Sequence, residues 1–208
     1  MGGRCGGARA AGLALLTMLG AVAAGAEPGP PDAPADMLPA IGRLAPADPL
    51  PEGAAICTGT LVAPDLVLTA AHCIPGWPDA PRPQALVFRA GGRTVRGAAA
   101  LPAHPPRDPV TDLAFLRLDR APGPAPLPLA PPPAAGDLRL LAFSRSAPEV
   151  RSDRTCPLIG REGALLAVGC AVVSGQSGAP LLADGALVAV VVAAMGGQAL
   201  ARVAPPLP

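Results

Sequence analysis

Two short stretches carry most of the information in this sequence: Thr69-Ala70-Ala71-His72-Cys73 and, further along, Gly175-Gln176-Ser177-Gly178-Ala179-Pro180. The first stretch places an imidazole, a potential general base, beside a cysteine. The second places a hydroxyl, a potential nucleophile, between two glycines that let another backbone approach closely. Between them, Asp112 opens the apolar run 113–118, so a carboxylate lies between the base and the hydroxyl in chain order.

Short apolar segments rich in Val, Leu and Thr recur along the chain and predict strands. They fall into two groups, 59–63, 66–69, 85–89, 94–97 and 113–118, and then 138–143, 164–168, 179–182 and 187–194. Most of the 30 prolines lie between these segments, because proline cannot donate to a central sheet ladder. The Pro-rich stretch 121–133 separates the two groups and is expected to be a stiff linker.

The N-terminus has the pattern of a secretory signal peptide over residues 1–26. Arg4 and Arg9 precede an apolar run at 11–24, and small residues up to Ala26 would suit cleavage after that position. The run is shorter than the roughly 20 residues that span a bilayer, which disfavours a stable membrane anchor. Residues 27–40 form a Pro-rich lead, either a short propeptide or a spacer. We therefore expect a secreted or periplasmic protein.

Composition disfavours several classes of partner. The 16 basic residues are all arginine and are scattered, and the net charge is +1. Such a distribution offers no concentrated basic patch for nucleic acid or anionic lipid. The chain lacks Lys, Asn and Tyr and is rich in Ala, Gly and Pro, which is typical of a GC-rich genome and indicates a bacterial source. We expect a monomer.

Four cysteines follow the predicted signal peptide: Cys57, Cys73, Cys156 and Cys170. An even number in an exported chain predicts two disulfides. Four cysteines allow three pairings, and their number alone does not choose among them. A zinc site is the competing interpretation, but no Cys-x-x-Cys spacing is present. The sequence implies neither a metal nor an organic cofactor.

The three motifs, in the order His72, Asp112, Ser177, resemble those of the trypsin/chymotrypsin family of serine peptidases. The resemblance runs from about Ile41 to about Val203. It implies an all-β fold of two six-stranded antiparallel Greek-key β-barrels, with the active site in the crevice between them. The barrels would span residues 41–120 and 134–208.

The resemblance also assigns roles to residues. Ser177 corresponds to the nucleophile, His72 to the general base and Asp112 to the carboxylate that orients the imidazole. The N–H groups of Gly175 and Ser177 would form the oxyanion hole. The family pairs the cysteine beside the histidine with an earlier one, which implies Cys57–Cys73 and leaves Cys156–Cys170. The nearest alternatives for the three roles are Ser174, His104 and Asp108.

Two positions differ from the trypsin pattern. Gln176 replaces an aspartate that pairs with a newly cut N-terminal amine, so the site is expected to form without that ion pair. Ala171 lies where trypsin-like enzymes place an acidic group for Arg or Lys. The expected pocket wall, Val192, Ala193 and Ala194, is also uncharged. An apolar pocket cannot compensate a buried cation, so small or apolar side chains are expected to be preferred over Arg and Lys.

The resemblance therefore implies a serine endopeptidase that cleaves proteins or peptides through an acyl-enzyme. Two alternatives stay open. A catalytically inactive member of the same fold could serve as a binding module, although such a module has no need to keep all three of Ser, His and Asp. An esterase could use the same residues, because ester cleavage needs the same nucleophile and oxyanion donors.

Overall fold

The computed structural model describes Gly2 and residues 39–103 and 111–208. Within these ranges the chain forms two closed, six-stranded antiparallel β-barrels, which confirms the predicted fold class. Apart from Gly2, the predicted signal peptide lies outside the described residues, as do residues 27–38 of the Pro-rich lead, His104 and Asp108.

The first barrel closes in the strand order β1-β2-β3-β6-β5-β4. Its strands are β1 (Ile41–Ala45), β2 (Cys57–Ala63), β3 (Leu66–Ala70), β4 (Val87–Ala90), β5 (Arg93–Pro102) and β6 (Leu113–Leu118). A short 3-10 turn at Pro83–Ala85 precedes β4, so the strand predicted to begin at residue 85 begins at Val87. Proline initiates this turn because its fixed φ suits a helical start.

The second barrel closes in the order β10-β11-β12-β9-β8-β7. Its strands are β7 (Asp137–Ser144), β8 (Ala147–Glu162), β9 (Leu165–Val168), β10 (Pro180–Ala183), β11 (Ala186–Met195) and β12 (Gln198–Val203). The sequence patterns did not predict β1, β8 or β12. β8 is the longest strand, and most of its residues are exposed or half-buried, so it lacks the apolar run by which a strand is recognised.

Aliphatic side chains fill both barrels, and Phe88 and Phe115 are the large aromatic rings buried in the first. Gly42 in β1 makes room for Phe88, since a Cβ at Gly42 would lie 2.6 Å from that ring. Burying one Leu, Val or Phe side chain contributes about 1.5–3 kcal/mol, so the many buried aliphatics supply the main stabilisation.

Charged groups also join the two barrels. Arg43 of β1 is only 2% exposed, and its guanidinium contacts Glu149 of β8 in the other barrel. It also donates to the Pro148 carbonyl at 3.3 Å and to Asp48 at 3.3 Å. A buried arginine needs such partners, because an unpaired buried charge is strongly unfavourable.

Candidate active site

His72 is positioned by a short 3-10 turn, Ala71–Cys73, that directly follows β3. The Cys57–Cys73 disulfide, with a Cα–Cα distance of 6.1 Å, ties this turn to the start of β2. The backbone N–H of Ala71 donates to the Asp112 carbonyl at 2.9 Å. The backbone that carries the imidazole is therefore held on both sides.

Asp112 binds His72 through both carboxylate oxygens. One oxygen lies 2.6 Å from the ring atom Nδ1, and the other accepts the His72 backbone N–H at 2.9 Å. Asp112 reaches this position with a φ of 47°, in the left-handed region that Asp tolerates better than most residues. The carboxylate thus favours the tautomer in which Nδ1 carries the proton and Nε2 is free to accept one.

The Asp112 carboxylate changes the titration of His72. Its hydrogen bond to the ring raises the pKa of His72 above the ordinary value, burial opposes the rise, and the negative charge of Asp112 adds to it. The charged pair therefore stabilises the fold below the unfolded-state pKa, and this contribution is lost as the pH rises through the folded-state pKa.

A base must be neutral to accept a proton, so activity is expected to have the opposite pH trend. The acid limb of kcat/KM against pH is expected to have its midpoint above about 6.5, the ordinary histidine pKa. Following the His72 ring protons by NMR over the same pH range would give the matching titration. An acid limb at or below the ordinary value would contradict the assignment of His72 as the base.

The loop before Ser177 presents two free N–H groups. Within the described part of the chain, neither the Gly175 N–H nor the Ser177 N–H donates to a protein acceptor. Gly175 has a φ of +99°, and a Cβ there would lie 2.7 Å from the Arg145 backbone nitrogen. Only glycine fits this conformation without strain. Two unpaired donors beside a hydroxyl suit an oxygen that becomes negative during acyl transfer.

Thr58 of β2 connects this loop to the other barrel. Its backbone N–H donates to the Ser177 carbonyl at 2.8 Å, and its hydroxyl donates to the Gly175 carbonyl at 3.1 Å. The same hydroxyl accepts the Phe143 N–H at 3.0 Å. Thr58 follows Cys57 of the disulfide, so one short segment supports both the His72 turn and the Ser177 loop.

Gly178 lies in a space that has no room for a side chain. Its φ is +78°, and a Cβ would lie 2.1 Å from both the Thr58 carbonyl oxygen and the Thr69 hydroxyl. We expect Gly178→Ala to lower the free energy of unfolding by about 3 kcal/mol or more, from backbone strain and overpacking.

Chemical denaturation would measure the effect of Gly178→Ala, with Gly197→Ala as the matched control. Gly197 has a similar φ of +82°, but a Cβ there would meet no atom within 4 Å. The control therefore carries the backbone strain without the contact. Equal losses in the two variants would show that packing at Gly178 contributes nothing.

His72 and Ser177 line the same cavity, which has a volume of about 440 Å³. Its walls are mainly apolar and include Leu44, Ile56 and Leu86. Among the described residues, no hydrogen bond joins the Ser177 hydroxyl to the His72 ring. Such contacts are often loose without substrate and tighten when substrate binds. Ser174, the alternative hydroxyl, also lines the cavity.

Gln176, between Gly175 and Ser177, is buried, with 5% of its surface exposed. Its amide oxygen accepts hydrogen bonds from Arg154 and from the Val173 N–H, both at 3.1 Å. Arg154 also donates to the Ala171 carbonyl at 2.8 Å. Arg154 lies on the polar strand β8 and belongs to no motif, so no sequence pattern predicts its role.

The residues proposed for the specificity pocket lie on two segments, and none of them lines the cavity that His72 and Ser177 share. Ala171 is exposed at the start of the Ser177 loop, while Val192, Ala193 and Ala194 lie near the end of β11. β11 is anchored to the loop, because the Gly178 N–H donates to the Val191 carbonyl at 2.8 Å. No acidic side chain occurs at any of these four positions proposed for the pocket.

Both predicted disulfides are present. Cys156 of β8 is bonded to Cys170, which precedes the Ser177 loop, with a Cα–Cα distance of 5.4 Å. In the first barrel, Cys57, His72 and Cys73 bring potential metal ligands within 4.8 Å of one another. The two sulfurs are bonded to each other there, so they are not thiolates available to a metal ion.

Comparisons with known proteins agree with the two-barrel architecture. A family model of the trypsin-like peptidase domain matches residues 57–190, and the chain belongs to this family. Its fold is that of the chymotrypsin-like serine proteases. No curated protein matches the sequence. Among the described residues, no helix is long and apolar enough to cross a membrane.

Solved structures with this fold include active and inactive proteins. The Rv3671c protease of M. tuberculosis, in its active form, is 20% identical with a TM-score of 0.62, over 81% of this chain and 77% of that one. The thermostable serine protease AL20 from an extremophilic microorganism is 16% identical with a TM-score of 0.65, over 81% and 93%. An inactivated protease paralogue of the scabies mite, S-I1, is 16% identical with a TM-score of 0.63, over 85% and 94%.

Proposed function

We propose that this protein is a serine endopeptidase that uses Ser177, His72 and Asp112. The observation that carries the proposal is that Ser177 and the Asp112-bound His72 line one cavity. The free N–H groups of Gly175 and Ser177 add the donors that the reaction needs. The fold alone would not suffice, because inactivated proteases also have it.

The chemistry follows from these groups. The Ser177 hydroxyl attacks the peptide carbonyl carbon while its proton passes to Nε2 of His72. The carbonyl oxygen becomes negative and accepts hydrogen bonds from the Gly175 and Ser177 N–H groups. The C–N bond then breaks, His72 gives its proton to the leaving amine, and an acyl-enzyme remains. Water, activated by the same imidazole, hydrolyses the ester and restores Ser177.

Asp112 supports each proton transfer without accepting the proton itself. Its carboxylate keeps the imidazole oriented and stabilises the imidazolium that forms when His72 is protonated. This role is consistent with the upward shift of the His72 pKa, which measures how strongly the charged form is favoured.

The proposed substrates are proteins or peptides with small or apolar side chains next to the cleaved bond. The uncharged positions Ala171, Val192, Ala193 and Ala194 support this preference. Arg154 also supports this preference. Its guanidinium lies beside Ala171, whose carbonyl it binds, and its positive charge would repel an incoming Arg or Lys side chain. The apolar walls of the cavity beside His72 are compatible with the same class of substrate.

The proposed location is outside the cytoplasm, secreted or periplasmic. Two disulfides support it, because such bonds persist in oxidising compartments. The predicted signal peptide at residues 1–26 supports it independently.

A fluorophosphonate probe tests the proposal directly, because it reacts only with an activated hydroxyl. Peptide mapping should place the label on Ser177, and the label should be absent from His72→Ala. Turnover of a peptide library would then separate a peptidase from an esterase. Folded protein that takes up no label would instead favour an inactive binding module.

A further inference from the structure

We propose that Arg154 is a positioning residue for this site. Through the Gln176 amide and the Ala171 carbonyl, it holds the loop that carries Gly175 and Ser177 in its working conformation. The proposal rests on the proposed peptidase function and extends it, by assigning how the oxyanion donors are held in place without a new N-terminus.

The contacts of Arg154 reach both ends of the loop. One terminal nitrogen donates to the Ala171 carbonyl at 2.8 Å, where the loop begins. The other donates to the Gln176 side-chain oxygen at 3.1 Å, next to the nucleophile. A planar guanidinium holds two such acceptors in one fixed geometry, which a single ammonium cannot do.

Gln176 transmits this support to the backbone. Its side-chain oxygen also accepts the Val173 N–H, and its own N–H donates to the Val173 carbonyl, each at 3.1 Å. These two hydrogen bonds between Gln176 and Val173 close a small hydrogen-bonded ring within the loop. Removing Arg154 would take away one of the two hydrogen bonds to the Gln176 side-chain oxygen and leave only the bond from the Val173 N–H. Hydrogen bonds to a charged group are typically the stronger ones, so the loop would lose its main tie to β8.

This arrangement supplies a cation to the residue that precedes the nucleophile. In trypsin-like enzymes an aspartate at this position pairs with a newly cut N-terminal amine. Here the residue is an amide, and the cation is a side chain on β8. The segment Ala40-Ile41-Gly42 loosely resembles the site at which trypsin-like chains are cut, but Ile41 is 2% exposed within β1 and paired with Thr60. The Arg154 contacts thus hold the loop without an amine from a cut chain.

Losing Arg154 should weaken the oxyanion donors and leave the His72–Asp112 pair unchanged, since Arg154 contacts neither residue. A small misplacement of a catalytic group can lower the rate by about 100-fold. We therefore expect Arg154→Met to lower kcat by roughly 10- to 100-fold with little change in KM. Methionine keeps most of the aliphatic part of the arginine side chain. The fall in kcat can therefore be assigned to loss of the guanidinium.

The experiment compares Arg154→Met and Arg154→Lys with Arg161→Met. Arg161 lies on the same strand, is exposed, and donates to the Gly163 carbonyl within its own hairpin. For each variant, kcat and KM are measured for a peptide ester, with active sites counted by the fluorophosphonate. Affinity for a peptide boronate, which needs the oxyanion donors, is compared with affinity for a product peptide, and melting is followed to confirm folding.

We expect the Met variant to lose kcat and boronate affinity together, the Lys variant to lose less, and the Arg161 control to match wild type. Normal kcat and boronate affinity in folded Arg154→Met would overturn the proposal, even if its melting temperature fell. If Arg154→Met does not fold, Arg154→Lys becomes the test. A wild-type kcat in Arg154→Lys would then overturn the proposal. A wild-type protein that neither labels nor turns over would instead refute the peptidase function itself.

The uncleaved state is tested with the same protein carrying an N-terminal extension. Mass spectrometry would verify that the chain remains intact during the assay. Full activity of the intact, extended chain is the expected result. Activity that appears only after cleavage would show that a new N-terminus, and not Arg154, assembles the site.

Discussion

Replacing Ser177 by alanine is expected to lower kcat for peptide hydrolysis by about a millionfold, as loss of the catalytic serine does in subtilisin. In the proposed mechanism the Ser177 hydroxyl supplies the oxygen that forms the acyl-enzyme. The fold should be unaffected, because no protein partner of the Ser177 hydroxyl occurs among the described residues. Steady-state kinetics with a peptide substrate and thermal melting would measure both effects.

Two other serines serve as comparisons for the Ser177 variant. Ser146→Ala, at an exposed position in the turn between β7 and β8, should leave kcat unchanged. Ser174→Ala tests the alternative nucleophile, since Ser174 lines the same cavity. If Ser174→Ala abolished activity while Ser177→Ala retained it, the assignment of the nucleophile would be wrong.

Asp112→Asn is expected to lower kcat by about 10,000-fold, by analogy with the same exchange in trypsin-like enzymes. An amide that donates to Nδ1 favours the tautomer with the proton on Nε2, and that nitrogen can then no longer accept the serine proton. The variant also loses the charge and the acceptor that raise the His72 pKa. The residual activity should therefore show its acid limb at a lower pH than wild type.

Asp65→Asn provides the control for Asp112→Asn. Asp65 is an aspartate of the same barrel and pairs with Arg117 at 2.9 Å on the exposed surface. Exposed pairs of this kind contribute at most about 1 kcal/mol, so both activity and the acid limb should stay as in wild type. A wild-type pH profile in Asp112→Asn would contradict the proposed role of the carboxylate.

The apolar strands β6 and β11 could be predicted from the sequence, whereas the long polar strand β8 could not. The run 113–118 coincides with β6, and the run 187–194 lies within β11, because buried strands consist of consecutive apolar residues. β8 is exposed or half-buried at every position except Cys156 and contains six charged residues from Glu149 to Glu162. Its pairing with β7 and β9 is decided by tertiary contacts that no local pattern reveals.

The residues of the candidate site likewise fall into those that a local motif predicts and those that none predicts. His72, Asp112 and Ser177 belong to local motifs, so the sequence was sufficient to propose them. Arg154 and Thr58 belong to none, since each acts on a loop that is distant in sequence. A hydrogen bond between distant residues leaves no local signal in a single sequence. The resemblance to trypsin showed that an ion pair was missing at Gln176, but only the structure shows which side chain binds there instead.

The hydrogen bonds of Thr58 affect how the protein is expected to lose activity on heating. This one residue of the first barrel binds the carbonyl oxygens of Ser177 and Gly175. A hinge-like parting of the barrels would therefore release the proposed nucleophile and the proposed oxyanion donors in a single event. Heat inactivation should then follow undocking of the two halves, at temperatures where each barrel still retains its own hydrogen-bonded strands.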